Sequence, residues 1–259
     1  MAFRDILVFL DPTPASDERL KFAIRLAKTH GARLLGVDAT GNAAFSGAWR
    51  DRALQVGRYF DDMTQSADVE SRLVGTDYRQ GGPSPDFSHC VDLVIAPRPE
   101  GQARELIAPF VPDEALIKSG APTLIVPQAW VPGPLGENVV IAWNASREAT
   151  RAVHDAMPIL ERAQKVVVFA FSHKVSNLRA SAEALVEHLA RHGVEAIVSD
   201  WTNTGEISAV EALYASLDTQ DSDLIVAGGF GHSRIFEGLF GGVSLDLLQT
   251  PTMPILMSH

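Results

Sequence analysis

The sequence predicts an α/β protein with two tandem domains, each built on an open, five-stranded parallel sheet. Three observations lead to this prediction: an internal repeat, short apolar runs that alternate with helical segments, and a linker rich in proline and glycine between the halves. Continuous apolar runs of five or six residues are typical of strands buried on both faces, as in parallel sheets covered by helices.

The repeat has a period of about 131 to 133 residues, which is the offset between its matching segments. Each half begins with an apolar run that ends in Asp or Asn and is followed by a helical segment. Later in each half come a run led by Asp and a final run that contains proline. The paired segments are Ile6–Asp11 with Val139–Asn144, Asp92–Ala96 with Asp223–Ala227, and Ala121–Val126 with Met253–Met257.

The second half shows the alternation of strands and helices best. We expect five strands at about 139–143, 166–171, 194–200, 223–227 and 254–257, and four helices at about 146–162, 177–192, 206–217 and 243–249. Ser146 is expected to cap the first helix, Gly193 to follow the second, and Pro251 to stop the last. Pro158 is expected to kink or shorten its helix because it lacks an N–H.

The domain boundaries follow from composition. Residues 128–137 hold two prolines and two glycines and predict an inter-domain linker, so we place the domains at residues 1–130 and 137–259. In the first domain, the glycines and prolines of residues 76–88 predict a loop.

Composition and charge restrict the function. The net charge is −10 and no segment concentrates Lys and Arg, which argues against a nucleic-acid partner. The apolar runs are far shorter than the roughly 18 residues of a membrane span, so no membrane partner is expected. The start of the chain lacks a signal segment and Cys90 is the single cysteine, which favours the cytoplasm. Cys90 precedes a buried strand and is interpreted as a small hydrophobic residue.

A glycine-rich segment follows the predicted fourth strand of the second half. Ligands of open α/β sheets bind beyond the carboxyl ends of strands, and a helix N-terminus there attracts anions. The segment therefore predicts a phosphate site, with a simple turn as the alternative for its glycines. The candidate binding residues are Gly228, Gly229, Gly231, His232, Ser233, Arg234, Gly241, Gly242, Val243 and Ser244.

Other familiar sites are not indicated. The P-loop pattern is missing, and Arg234 stands where the third glycine of a dinucleotide fingerprint would be. His188 and His192 have a spacing that can bind zinc, but no third ligand is evident in the sequence, so no metal site is predicted. No histidine is placed to activate Ser244, so no catalytic residue is assigned.

The motif resembles that of the universal stress proteins, whose nucleotide-binding members carry G-x2-G-x9-G-[ST]. Gly228, Gly231 and Gly241 match it, whereas Gly242 replaces the Ser or Thr and Ser244 follows two residues later. The family also has an acidic residue after the first strand. Asp11 matches this position in the first half, where a helix cap is the alternative reading. Asn144 replaces it in the second half and is a further candidate binding residue, since Asn can still hydrogen-bond an adenine or ribose.

The resemblance spans the chain and implies tandem domains like those of the adenine nucleotide alpha hydrolases, paired as a pseudo-dimer. It implies a regulatory protein of the stress response and not an enzyme. The expected ligand is ATP or ADP, and Mg²⁺ is a further candidate cofactor. Prolines and acidic residues near 97–100 and 110–113 indicate that the first domain has lost its site. Four alternative functions stay open: a slow ATPase, a self-phosphorylating enzyme, a ligand-free adaptor, and a receptor for another small molecule. Whether two chains form a homodimer also stays open.

Overall fold

The computed structural model describes residues 2–40, 48–74, 89–98, 100, 119–130, 133–172, 178–202, 209–229 and 252–259. The chain divides into two compact units, Met1–Pro132 and Gly133–His259. The division falls within the predicted linker.

The described part of the first unit contains five strands and three helices. The strands lie in the order β3-β2-β1-β4-β5, and each is parallel to its neighbours. In chain order the elements are β1 Asp5–Leu10, α1 Pro14–His30, β2 Arg33–Asp38, α2 Ala48–Ala53, α3 Val56–Ser66, β3 Ser71–Val74, β4 Leu93–Arg98 and β5 Thr123–Pro127.

The second unit repeats this arrangement. Its strands lie in the order β8-β7-β6-β9-β10, again all parallel. In chain order they and their helices are β6 Asn138–Trp143, α4 Arg147–Leu160, β7 Lys165–Ser172, α5 Leu178–Arg191, β8 Ala196–Thr202, α6 Ala209–Gln220, β9 Leu224–Gly228 and β10 Ile255–Ser258. The predicted α/β class and the five parallel strands are confirmed. The helix expected at 243–249, with Pro251 at its end, lies outside the described residues, as does the loop expected at 76–88.

Consecutive residues are buried along the central strands of both units. In β1 the exposed fractions of Ile6, Leu7 and Val8 are 0%, 1% and 0%, and Val139, Val140 and Ile141 of β6 are equally buried. Because neighbouring residues of a strand face opposite sides of the sheet, both faces must be covered. This is the physical reason for the continuous apolar runs.

The helix ends follow the local sequence. Ser146 caps α4, since its Oγ accepts a hydrogen bond from the backbone N–H of Ala149 at 3.1 Å. Gly193 follows α5 with a φ of +77°, as expected of a glycine that ends a helix. Pro158 lies inside α4, which ends two residues later at Leu160. The proline therefore affects only the last turn, and the helix stops before Arg162.

The repeated aspartates Asp92 and Asp223 have the same structural role. The carboxylate of Asp92 accepts hydrogen bonds from the backbone N–H groups of Arg4 and Asp5, at 2.6 and 3.0 Å. That of Asp223 accepts from Gly136, Glu137 and Asn138, at 2.7, 3.0 and 3.2 Å. Burial raises the pKa of Asp223 and these three hydrogen bonds oppose the rise. Each aspartate thus binds the backbone that leads into the first strand of its unit.

Strand order determines where a ligand could bind. In the second unit β6 lies between β7 and β9, so the chain leaves β6 toward one side of the sheet and later returns on the other. Such a reversal leaves a crevice at the carboxyl ends of the two central strands. The crevice lies where β6 and β9 end, at Asn144 and Gly229.

Candidate functional site

Three of the predicted binding residues lie together at the crevice of the second unit. β6 and β9 pair in register, with Ala142 opposite Ala227. Asn144 and Gly229 each follow two residues later, so the two chain segments leave the sheet side by side. The remaining predicted residues lie outside the described part of the chain: Gly231, His232, Ser233, Arg234, Gly241, Gly242, Val243 and Ser244.

Gly228 is required by packing. A Cβ atom at this position would lie 2.5 Å from the backbone nitrogen of Ala149 and 2.7 Å from the carbonyl carbon of Glu148. The end of β9 therefore lies directly against the first turn of α4, and only glycine permits that approach. The first glycine of the motif brings the loop to the amino end of a helix.

Gly229 uses its backbone groups within the fold. Its N–H donates to the carbonyl oxygen of Ser258 at 2.7 Å, which extends the pairing of β9 with β10. Its carbonyl oxygen lies 3.3 Å from Nδ1 of His259. In this conformation the amide of Gly229 is not available to a phosphate, so its place among the ligand-binding residues stays a prediction.

Asn144 is exposed and shapes the turn into α4. Its Oδ1 accepts a hydrogen bond from the backbone N–H of Ser146 at 3.1 Å, and Ala145 between them has a φ of +59°. Among the described residues the side-chain NH₂ of Asn144 has no hydrogen-bond partner. Asn144 can therefore donate a hydrogen bond to a ligand at the crevice while its oxygen holds the turn.

Asp11, the matching residue of the first unit, is buried in an ion pair. Its Oδ2 lies 2.5 Å from a terminal guanidinium nitrogen of Arg19, whose Nε donates to the carbonyl oxygen of Phe9 at 3.0 Å. Its Oδ1 accepts hydrogen bonds from the backbone N–H and the hydroxyl of Thr13, which occupies the N-cap position of α1. The N-cap of α1 is Thr13 and not Asp11, so the helix-cap reading is wrong. The ion pair gives Asp11 an internal role, and a contact with a ligand stays a prediction. The sequence did not reveal Arg19 as its partner.

A cavity of about 170 Å³ lies beside Asp11 in the first unit. Its polar lining includes Asp17, Arg52, Gln55 and Tyr59. The guanidinium of Arg52 is already bound to the carboxylate of Asp17, at 3.0 Å, and to the carbonyl oxygen of Pro12, at 2.7 Å. The charges of this cavity compensate each other, so it offers no uncompensated cation to an anionic ligand.

The histidine pair of α5 has a third neighbour that the sequence did not reveal. The ring centroid of His188 lies 4.8 Å from that of His192 and 5.6 Å from that of His154 on α4. Each pair of rings meets edge to face. Across the described ranges, no three His, Cys, Asp or Glu residues are arranged to hold a metal ion.

Cys90 lies outside the buried strand that follows it. It is exposed. It lies in the short turn that precedes Asp92 and β4, outside the apolar run that forms the strand.

No helix in the described part of the chain is long and apolar enough to span a bilayer.

Comparisons with known proteins concern the fold alone. No protein-family model matches the sequence, and no curated protein matches it. Among solved structures, a universal stress protein from Archaeoglobus fulgidus DSM 4304 is similar over 98% of this chain and 97% of its own, with a TM-score of 0.73 and 15% identity. A functionally unknown protein from Pseudomonas aeruginosa PAO1 is similar over 99% and 92%, with a TM-score of 0.66 and 16% identity. Over its whole length, the chain has the tandem α/β fold seen in a universal stress protein.

Proposed function

We propose that this protein is a universal stress protein that binds ATP or ADP as a regulatory ligand at the crevice of its second unit. The observation that carries the proposal is the contact of Gly228 with the first turn of α4, at the point where β6 and β9 end. In this hypothesis the segment from Gly228 to Ser244 receives the phosphates, and Asn144 donates to the nucleoside.

The chemistry of the segment favours a phosphate. Glycines leave backbone N–H groups accessible, and the start of the expected helix at 243–249 would add the positive end of a helix dipole. Arg234 supplies a positive charge within the same segment. In the first unit the equivalent aspartate is neutralised by Arg19, so we assign one nucleotide to each chain.

A regulatory role fits these residues better than catalysis, because the described part of the crevice supplies no base aligned with a nucleophile. A ligand-free adaptor is the second candidate, and one observation favours it: the amide of Gly229 is already bound to Ser258. We further propose a cytoplasmic location. Assembly, between units or between chains, stays a prediction of the sequence.

Titration calorimetry tests nucleotide binding. The protein is first freed of co-purified ligand, which mass spectrometry of the released material identifies, and is then titrated with ATP and ADP in the presence of Mg²⁺. We expect saturable heat with one site per chain. Gly231→Asp, which places a carboxylate in the motif, should weaken binding by about tenfold or more.

Gly101→Asp is the matched control, because Gly101 lies in the corresponding loop of the first half and should leave binding unchanged. Absence of heat in the wild-type protein would exclude the nucleotide and leave the adaptor. ATP turnover that is present in the wild type and lost in Gly231→Asp would instead indicate a slow ATPase.

A further inference from the structure

The cavity of the first unit is suited to a small molecule. It lies where β1 ends, between the first turns of α1 and the segment from α2 into α3, and its volume is about 170 Å³. A cavity of about 150 Å³ admits benzene, and sites for drug-sized ligands begin at about 300 Å³. The cavity is therefore too small for a nucleotide and has room for a molecule of roughly six to ten non-hydrogen atoms.

Four of the residues that line this cavity are apolar, and we call them the apolar wall: Leu10, Pro12, Leu20 and Val56. Leu10 and Leu20 are 2% and 1% exposed, and Val56 is 7% exposed, so the wall belongs to the core of the unit. The hydrophobic effect favours the transfer of an apolar group from water to such surroundings. The wall therefore favours a ligand with an aliphatic or aromatic part.

Two opposite charges line the same cavity. A terminal guanidinium nitrogen of Arg52 lies 3.0 Å from Oδ2 of Asp17, and Nε of Arg52 donates to the carbonyl oxygen of Pro12 at 2.7 Å. The two side chains are 45% and 32% exposed, so this ion pair lies at the solvent side of the cavity. Among the described residues, Oδ1 of Asp17 and the second terminal nitrogen of Arg52 have no hydrogen-bond partner. Both charged groups can therefore bind a ligand while they keep their contact with each other.

Tyr59 adds a hydroxyl to the lining of the cavity. Burial raises the pKa of Tyr59 above its ordinary value of 10.0, and the carboxylate of Asp17 raises the pKa further. The hydroxyl therefore keeps its proton at neutral pH and can donate it to a hydrogen bond. It has no hydrogen-bond partner within the part of the chain that the structure describes. A ligand with an oxygen acceptor would supply that partner.

We propose that this cavity binds an α-amino acid with an apolar side chain, in its zwitterionic form. The ammonium group of the ligand binds Asp17, its carboxylate binds Arg52 and the hydroxyl of Tyr59, and its side chain lies against the apolar wall. A zwitterion matches both charges of the ion pair, whereas a simple anion or cation would meet one charge of its own sign. The site lies in the first unit, so it is distinct from the nucleotide site proposed for the second.

Titration calorimetry with L-leucine, L-valine and L-methionine tests the proposal. We expect saturable heat with one site per chain for at least one of them, and a higher temperature of thermal unfolding in its presence. The methyl ester of that amino acid lacks the carboxylate, and its N-acetyl derivative lacks the ammonium group. Each derivative should bind at least about tenfold more weakly, because one charge of the ion pair then has no counterpart. Absence of heat with all three amino acids overturns the proposal.

Variants of the ion pair distinguish the two contacts. Asp17→Asn should weaken binding by about tenfold and should no longer discriminate between the amino acid and its N-acetyl derivative. Arg52→Gln should instead lose the discrimination against the methyl ester, and Tyr59→Phe should weaken binding by a smaller factor. Glu18→Gln is the matched control, because Glu18 is an exposed partner of Lys21 on α1 and is not among the described residues that line the cavity.

Discrimination between the amino acid and its derivatives depends on the contacts with the ligand, and a general loss of stability would not change it selectively. Thermal unfolding without ligand verifies that each variant is folded. Wild-type affinity and discrimination retained in both Asp17→Asn and Arg52→Gln would overturn the proposal. Titration of the same variants with ATP should match the wild type, since the nucleotide is assigned to the second unit.

Discussion

At the residue scale, the first unit depends on a charge pair that lies wholly inside it. Arg19 and Asp11 are 2% and 3% exposed, and the guanidinium binds both the Asp11 carboxylate and the Phe9 carbonyl. Two charges removed from water are tolerated only when each satisfies the other. The carboxylate in this ion pair is that of Asp11, for which the sequence suggested a ligand contact or a helix cap.

Replacing Arg19 with Met should destabilise the first unit by about 3 to 5 kcal/mol, since it leaves the Asp11 carboxylate buried without its cation. Urea unfolding followed by circular dichroism measures the change. Arg179→Met removes an exposed pair with Glu183 and should cost less than about 1 kcal/mol. Equal losses in the two variants would contradict the burial argument.

Asp38 provides a pH dependence of known sign. Burial raises its pKa above the ordinary value of 3.8, and hydrogen bonds from the hydroxyl and backbone N–H of Thr40 oppose the rise. Well below pH 3.8 the folded and unfolded chains both hold the proton. As the pH rises, the unfolded chain releases it first, so the free energy of unfolding falls until the folded carboxyl has also ionised.

Asp38→Asn cannot ionise and should escape this loss. Its stability relative to the wild type should therefore increase as the pH rises from 3.5 toward 7 and then become constant. Urea titrations at several pH values measure the difference. Asp61→Asn, at an exposed site on α3, is the control. A difference between Asp38→Asn and the wild type that does not change with pH would show that ionisation of Asp38 is not its cause.

At the scale of elements, the contact between β9 and α4 is the tightest constraint on the candidate site. The backbone of Gly228 lies against Glu148 and Ala149, and Ser146 caps the same helix at its start. The strand end and the helix start therefore hold each other in place. This contact determines where the glycine-rich segment leaves the sheet.

Gly228→Ala should destabilise the second unit by about 1 to 3 kcal/mol, because the added methyl group overlaps backbone atoms that cannot rotate away. Gly133→Ala is the matched control. A Cβ atom there meets nothing within 4 Å, so the change should stay within about 0.5 kcal/mol. Thermal unfolding measures the stability of the two variants. If Gly228→Ala were as stable as the wild type, α4 would have to shift to make room for the added methyl group.

At the scale of the whole molecule, each unit has its own buried core and strand order. In the first unit Leu7, Phe9, Val37 and Val94 belong to one buried cluster. In the second, the central strands β6, β7 and β9 are buried along most of their length. The two units have the same strand order, which is β3-β2-β1-β4-β5 in the first and β8-β7-β6-β9-β10 in the second. The internal sequence repeat therefore corresponds to a repeated fold.

Residues 1–132 and 133–259, produced separately, should each give an α/β circular dichroism spectrum and unfold cooperatively on heating, because each has a complete core. Only residues 133–259 should release heat with ATP and Mg²⁺. Binding by residues 1–132 would contradict the assignment of the site. An unfolded fragment would show that a unit needs the rest of the chain.

The sequence by itself determined the strands, the repeat and several helix ends, because these depend on local patterns. Buried strands require continuous apolar runs, the N-terminus of α4 needs a side chain like that of Ser146, and Gly193 has the backbone angles that favour glycine. Tertiary structure alone decided the contacts between segments that are distant in sequence. It paired Gly229 with Ser258 and placed His154 beside His188. It also brought Asp11 and Arg19 together, because the fold, more than sequence spacing, determines which polar groups meet inside a protein.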